Sequence, residues 1–427
     1  GTDAGGAGSG ATGGTDGGAA TASDAGAAGG ASTGASAGGG AAGGGATQAA
    51  GGPCRSSGGA TDKGVSATEI RIGNVSTISG PVTGLGQTAQ NGVKAYVAYI
   101  NSKGGVCGRA LKLVTADDRL DTGANRSETQ RLMNDVFGFV GNFSVVDDGG
   151  AAVLDGTNVP DVGLSISEQR KALPTNFSPN PLQPGAKSNG TVKMMQFFKS
   201  NYGVTKAGII YPAQATAKAS ALNYETDMKA AGINVVAKAE VAITQTDYNG
   251  VATQMKNAGA ELVITTLEQT GMARLAQAFK QQGYQPKVPY YGAQAYGKKF
   301  LAQAGDAANG TLIGAAYDIP EDAGINPIMG TMAQWYNRVN PGADLDFFAI
   351  ESWAATDMFV KALTAAGGAP TRDAVVKTLK GYTDFTADGV LANGTNPAGK
   401  TPSSCFIVLG VEGGKWKRIA PAKGFQC

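Results

Sequence analysis

The sequence predicts an α/β protein of two doubly wound parallel-sheet lobes, preceded by a disordered Gly/Ala-rich tether. Three observations carry this reading: a strand, helix, strand unit across Glu69 to Arg119, a second alternating series from Lys187 onward, and an opening segment built almost wholly of Gly, Ala, Ser and Thr. That segment, residues 1–53, has no aromatic residue and no Lys or Arg. It cannot bury enough apolar surface to offset its ordering entropy, and as a Gly-rich coil it would reach roughly 40 Å. The spacing of Gly8, Gly10 and Gly13 within it has no strand before and no helix after, so it is not a dinucleotide fingerprint.

Ile70, Ile72 and Val75 form a short apolar run that stops at Ser79-Gly80-Pro81, which ends a strand. Val93, Tyr96, Val97 and Ile100 then fall at the i, i+3, i+4, i+7 spacing of one buried helix face. Gly104-Gly105 closes that helix, and Leu111 to Val114 begins a second strand. A unit of this length joins parallel neighbours by a right-handed crossover, and ligands of such sheets sit at the carboxyl ends of the strands. Ser76 to Gly86 is therefore the first place to look for a site. A helix through Gln130, Leu132 and Val136, a strand at Phe139 to Gly141 and another at Val159 to Leu164 continue the alternation. Pro174 to Pro184, with four prolines, reads as a crossing segment out of the first lobe.

In the second series Met194, Phe197 and Phe198 mark a helix, Ala207 to Tyr211 a strand, and Ala221 to Ala231 a helix ended by Gly232. Val235 to Val241 is a strand, Asp247 is placed to cap the helix of Val251 and Met255, and Leu262 to Thr265 is a strand. Met272, Leu275, Ala276 and Phe279 repeat the helical stripe. Gly310 to Tyr317 is a return strand, followed by helices around Met332 to Val339, Phe348 to Ala366 and Arg372 to Leu379. Cys405 to Val411, Glu412-Gly413-Gly414 and Lys415 to Ile419 form a hairpin. Two successive series imply two lobes with a cleft between them.

Composition excludes several functions. The tether carries three aspartates and no cation, so the formal charge of +2 becomes +5 for the remainder. That mild balance, without a clustered basic face, argues against nucleic-acid binding. No apolar run approaches the ~20 residues that span a bilayer. Cys54, Cys107, Cys405 and Cys427 show no Cys-x-x-Cys spacing, which speaks against zinc and thioredoxin-like chemistry. They read as two structural disulfides in an oxidising compartment or, alternatively, as four unrelated buried thiols. Histidine is absent, which removes Ser-His-Asp and Cys-His catalysis and His-based zinc sites together. An enzyme would need lysine or carboxylates such as Asp117, Asp118, Asp147 and Asp148, and Asp117-Asp118 also suits turn and capping work after a strand.

Ile72-Gly73 leading to Ser79-Gly80-Pro81, then Gly84 and Gly86, then Ile100-Asn101 and Gly104-Gly105-Val106 with Gly108-Arg109, resembles type I periplasmic (extracellular) solute-binding proteins. The resemblance is greatest to the branched-chain amino-acid-binding receptors of ABC importers. Thr246-Asp247-Tyr248, Gly259-Ala260-Glu261-Leu262-Val263 and Gly283-Tyr284 match that family's second lobe, and the likeness covers about residues 65–420. It implies a type I periplasmic binding protein fold with a hinge and three crossovers, a first lobe of 54–185 with 318–375, and a second of 186–317 with 376–427. It also implies no catalysis and no cofactor or metal. The expected partners are a small polar or carboxylate-bearing, amino-acid-like organic solute and the membrane subunits of an ABC importer; a ligand-sensing subunit of a signalling complex is the alternative. The chain is expected to be monomeric and extracytoplasmic, with a lipid anchor upstream of Gly1. In the layout it implies, Cys54 pairs with Cys107 and Cys405 with Cys427.

Carried onto this sequence, the resemblance places ligand contacts at Ser79 and Leu85 after the first strand and at Ser144 and Val145 after the third. At Ser165, Ile166 and Ser167 the family presents backbone amides and a hydroxyl to a ligand carboxylate, although Ser165 and Ser167 equally suit helix capping. The second lobe supplies Thr216, Glu268 and Gln294, and Phe348 joins them. Tyr296, Tyr317 and Trp353 are cleft or core aromatics. Gln294 stands where amino-acid receptors of the family commonly use a carboxylate for the ligand's ammonium, and a neutral amide binds ammonium less well; Asp147, Asp148 or Glu268 could substitute. Deleting residues 1–53 is expected to move the melting midpoint by less than about 1 °C, because nothing in them can pack; differential scanning calorimetry of the two proteins checks this.

Overall fold

The computed structural model describes residues 54–427; the expected tether over 1–53 lies outside them. Strands β1 (Glu69–Ser76), β2 (Ala110–Asp117), β3 (Gly138–Val140), β4 (Asp161–Val162) and β5 (Asn176–Phe177) alternate with helices α1 (Gln87–Ser102), α2 (Thr122–Met133), α3 (Asp148–Leu154) and α4 (Glu168–Ala172). They form a five-stranded, wholly parallel sheet in the order β2-β1-β3-β4-β5. Ile70 and Ile72 of β1 are fully buried, as expected for a strand covered on both faces.

The second series runs α5 (Val192–Tyr202), β6 (Lys206–Pro212), α6 (Ala215–Ala230), β7 (Asn234–Val241), α7 (Asn249–Asn257), β8 (Leu262–Thr265), α8 (Gln269–Gln281), β9 (Val288–Tyr290), α9 (Lys298–Ala304) and β10 (Leu312–Ala315). Three helices follow, α10 (Pro327–Val339), α11 (Phe347–Ala365) and α12 (Arg372–Leu379), and then the hairpin β11 (Ile407–Glu412) and β12 (Lys415–Ala420). The second sheet has the order β12-β11-β10-β9-β8-β6-β7, parallel except where β11 runs against β10 and β12. Gly413 and Gly414, both at positive φ, make the hairpin turn.

Helices α10 and α11 pack back on the first sheet's α1, and α12 packs on α11. The approach is close: a Cβ on Gly92 would lie 2.3 Å from the Ala349 carbonyl oxygen. Tyr96 of α1 meets Trp353 edge-on at 4.9 Å and donates its hydroxyl to Asp357 at 2.7 Å. The chain thus passes between the sheets after β5, after β10 and after α12. Two of these passages pair, with Ala392 N–H donating to the Ala316 carbonyl at 2.8 Å and Asp318 N–H to that of Val390 at 2.8 Å. Cys54 is bonded to Cys107 and Cys405 to Cys427. The two loops, 53 and 22 residues in sequence separation, give ~3 to 4 kcal/mol each in the chain-entropy model.

Some local expectations change. The Pro174 to Pro184 stretch is not all crossing segment, because Asn176 and Phe177 pair in parallel with Asp161 and Val162; two residues are too few to leave a periodicity. Val159 to Leu164 contracts to that same two-residue β4. The N-cap of α7 is Tyr248, without a side-chain cap bond, while Asp247 accepts from Asn249 N–H one step earlier.

Arg109 is fully buried and donates to three carbonyls: Ser66 and Gly368 at 2.8 Å each and Gly59 at 3.2 Å. It ties the segment before β1 to the turn after α11. Arg109→Met is expected to lower stability by about 3 kcal/mol, because buried acceptors lose a charged donor; urea unfolding of the two proteins checks this.

Candidate functional site

Each sheet has the strand order 2-1-3-4-5 when its parallel strands are numbered along the chain, so the switch points lie between β1 and β3 and between β6 and β8. Crevices at switch points are where doubly wound sheets bind ligands. A cavity of about 720 Å³ lies there, lined by the loops after β1, β3, β4, β6 and β8, by the crossing segment around Leu182 to Asn189 and by the start of α11.

Leu85, Val145, Ile166, Ser167, Thr216, Glu268, Gln294 and Phe348 lie on the cavity wall, whereas Ser79, Ser144 and Ser165 do not line it. Their hydroxyls are engaged elsewhere. Ser79 donates to Asp117 at 2.5 Å, and Asp117 also receives the N–H groups of Ile78, Ser79 and Arg119. Partial burial pushes the Asp117 carboxyl up, but these four donors hold it down at about 2. Asp118 accepts from Thr77 at 2.7 Å and from Asn125 at 2.8 Å. This aspartate pair therefore shapes the turn after β2. Ser144 accepts from Val146 N–H at 3.1 Å, and Ser165 accepts from the Asn176 amide at 2.7 Å.

The loop before α4 was expected to offer its amides to a ligand carboxylate. Those amides already hold one from within the chain: Ile166 N–H and Ser167 N–H donate to the two oxygens of Asp147, at 2.8 and 2.9 Å. Ser167 Oγ caps α4 by accepting from Arg170 N–H at 3.2 Å. Behind them the buried Arg170 guanidinium forms a two-pronged pair with Asp161 at 2.8 and 2.7 Å, and Asn176 donates to the same carboxylate at 2.7 Å. Burial raises the pKa of Asp147, and the Arg170 charge and the hydrogen bonds from Ser167 and Ile166 oppose that rise.

On the second-sheet side Glu268 is the N-cap of α8, accepting from Thr270 and Gly271 N–H at 2.7 and 2.5 Å. Gln269 donates to the carbonyls of Gln294 and Tyr296 at 3.1 and 3.2 Å, fixing the turn that carries Gln294. Phe348 packs on Phe143 with ring centres 4.0 Å apart. Tyr296, Tyr317 and Trp353 are core: Tyr296 donates to Glu321 at 2.6 Å, Tyr317 to the Ala293 carbonyl at 3.0 Å, and Trp353 lies against α1.

Sequence reasoning missed Asp346, Thr88 and Gln214, all on the wall. Asp346 caps α11 through Ala349 N–H at 3.1 Å and accepts from Thr88 at 2.9 Å; an aspartate directly before the Phe347-Phe348 run was the available signal. Thr88 and Gln214 carry none. Close by, the buried Glu351 accepts weakly from Asn180 at 3.4 Å through one oxygen, and its other oxygen has no partner.

A family model described as periplasmic binding protein matches residues 69–415. Among curated proteins the chain is similar to Leu/Ile/Val-binding protein homolog 7 of Brucella abortus, 26% identical over 60% of this chain and 65% of the relative. Homolog 8 of the same organism is 24% identical over 58% and 64%. The chain thus spans about two thirds, or slightly less, of the length of these relatives. The solved fatty acid ABC transporter substrate-binding protein from Thermomonospora curvata shares the fold with a TM-score of 0.72, at 17% identity over 84% of this chain and 93% of that one. So does the branched-chain amino acid transporter substrate binding protein of Streptococcus pneumoniae in complex with isoleucine, with a TM-score of 0.68 at 17% identity over 83% and 100%.

Burial pushes the Asp346 carboxyl up to about 7 and the Glu351 carboxyl up to about 8. The unfolded chain releases these protons near pH 4, so between about pH 4 and 8 the folded state binds more protons and stability falls as pH rises. The contribution is complete below that window and lost through it, at up to about 1.4 kcal/mol per pH unit for each group. Glu351→Gln keeps the neutral form at all pH values. Its melting midpoint is expected to fall less than that of the unsubstituted protein between pH 5 and 8; parallel curves would count against this assignment.

Proposed function

We propose that this chain, which belongs to the periplasmic binding protein family, is an extracytoplasmic receptor that delivers a small polar organic solute to the membrane subunits of an ABC importer. The observation that carries the reading is the cavity, which gathers the loops at both switch points into one cleft. Residues 54–185 with 318–389 form one lobe of this receptor and 186–315 with 393–427 the other; the boundary lies beyond the expected 375 because α12 packs on α11. The paired passages at 316–318 and 390–392 serve as the hinge on which the lobes close over the solute. Relatives named for leucine, isoleucine and valine, and a fold neighbour named for fatty acids, support a solute with an apolar body and a polar end. The two disulfides suit an oxidising compartment.

The receptor binds and releases its solute unchanged. Native mass spectrometry of the purified protein is expected to show one small organic molecule bound per chain, recovered chemically intact after incubation. Recovery of a transformed molecule would favour an enzyme instead.

A further inference from the structure

Resting on that receptor reading, we infer that the solute is elongated and uncharged at its polar end, because Asp147 fills the donors suited to an anionic group and the cavity continues along α6. Asp147 is 3% exposed, and its two oxygens accept from Ile166 and Ser167 N–H. A solute carboxylate arriving at this wall would find neither amide available. Nor would it find the Arg170 charge, which is engaged by Asp161.

The remaining ionisable groups on the wall are five carboxyls, Asp148, Glu168, Glu268, Asp344 and the proton-retaining Asp346, against Lys171 and Lys299. Lys171 is paired with Glu168, and the exposed Lys299 lies next to the Asp344 that caps its own helix. This balance disfavours an anion. It does not strongly invite a cation either, since Glu168, Glu268, Asp344 and Asp346 each accept from backbone N–H groups. What the wall offers in quantity is neutral carboxamide: Gln169, Gln183, Gln214, Asn223 and Gln294. Each supplies both donor and acceptor atoms. Gln214 Oε1 is buried without a hydrogen-bond partner, a costly state for a buried acceptor that turning the amide into the cavity against a solute N–H or O–H would relieve.

The length follows from α6. Thr216, Ala219, Ser220 and Asn223 all line the cavity and share one helix face at i, i+3, i+4 and i+7. Seven residues at 1.5 Å rise carry that face over about 10 Å. All four are small or short, so the cavity runs beside the helix rather than ending at its first turn. Leu85, Val145, Val146 and Phe348 supply apolar surface at the other side. The volume of about 720 Å³ lies within the range of pockets for drug-sized ligands.

Isothermal titration calorimetry of the full chain with octanamide, octanoate, octylamine, butanamide and L-leucine tests both parts. Octanamide is expected to bind at least tenfold more tightly than any of the others. Octanoate, octylamine or leucine binding as tightly as octanamide overturns the uncharged end, and butanamide doing so overturns the length; either result leaves the receptor reading intact. Asp147→Ala is expected to gain at least fivefold in octanoate affinity, and Asp147→Asn, which keeps the shape of the side chain, to gain less. Absence of any gain in a variant that still melts cooperatively overturns the role given to Asp147. Ser220→Trp is expected to lose at least tenfold for octanamide and little for butanamide. If no probe binds and no solute co-purifies, this inference and the receptor reading fall together.

Discussion

Parallel strands cannot be joined by a tight turn, and the architecture of this protein follows from that constraint. Each strand of both parallel sets but the last hands the chain to a crossing helix, so the loops leaving the strands gather at one edge of each sheet. Because β1 and β6 each lie inside their sheet with connections leaving in both directions, that edge opens into a crevice in both. The cavity joins the two crevices. Its walls are loops held by hydrogen bonds, some between distant segments, such as Asp117 to the turn after β1, and some local, such as Glu268 to the start of α8.

A buried polar network adds to the apolar packing of the first sheet. Asp161, Arg170, Asn176 and Asp147 link β4, β5, α4 and the loop before α3 through charge-assisted bonds. Such groups are costly to bury unless each is satisfied, and here the pairing is nearly complete. The same bonds turn the loop before α4 inward. A segment that looks like an anion site when its residues are read along the chain is therefore internally closed.

The helices that follow β10 show how tertiary context changes the meaning of a periodic pattern. Tyr317, Trp353 and Tyr296 are aromatic residues at positions compatible with a cleft, yet all three are core: Trp353 because α11 packs directly on α1, with Gly92 permitting close contact, and Tyr296 and Tyr317 because they pack on each other, on Trp416 and on Phe347. Phe347 and Phe348, at the start of α11, both reach the cavity. Their ring contacts differ, Phe347 meeting Tyr317 and Phe348 meeting Phe143, and only the placement of α11 decides that both stand at the cleft.

Alternating apolar runs, glycine and proline punctuation, and helical stripes such as Met272, Leu275, Ala276 and Phe279 were enough to determine the α/β class, two successive sheet series and most element positions, since these signals are local. Very short strands such as Asn176–Phe177 left no periodicity, and Asp147 gave no hint of its partners, which lie 19 and 20 residues away. The sequence by itself determined which residue types stand at the ends of the strands. Only the tertiary structure decided which of their donors and acceptors are used up within the chain, because hydrogen bonding between distant segments depends on how β3 and β4 are brought side by side.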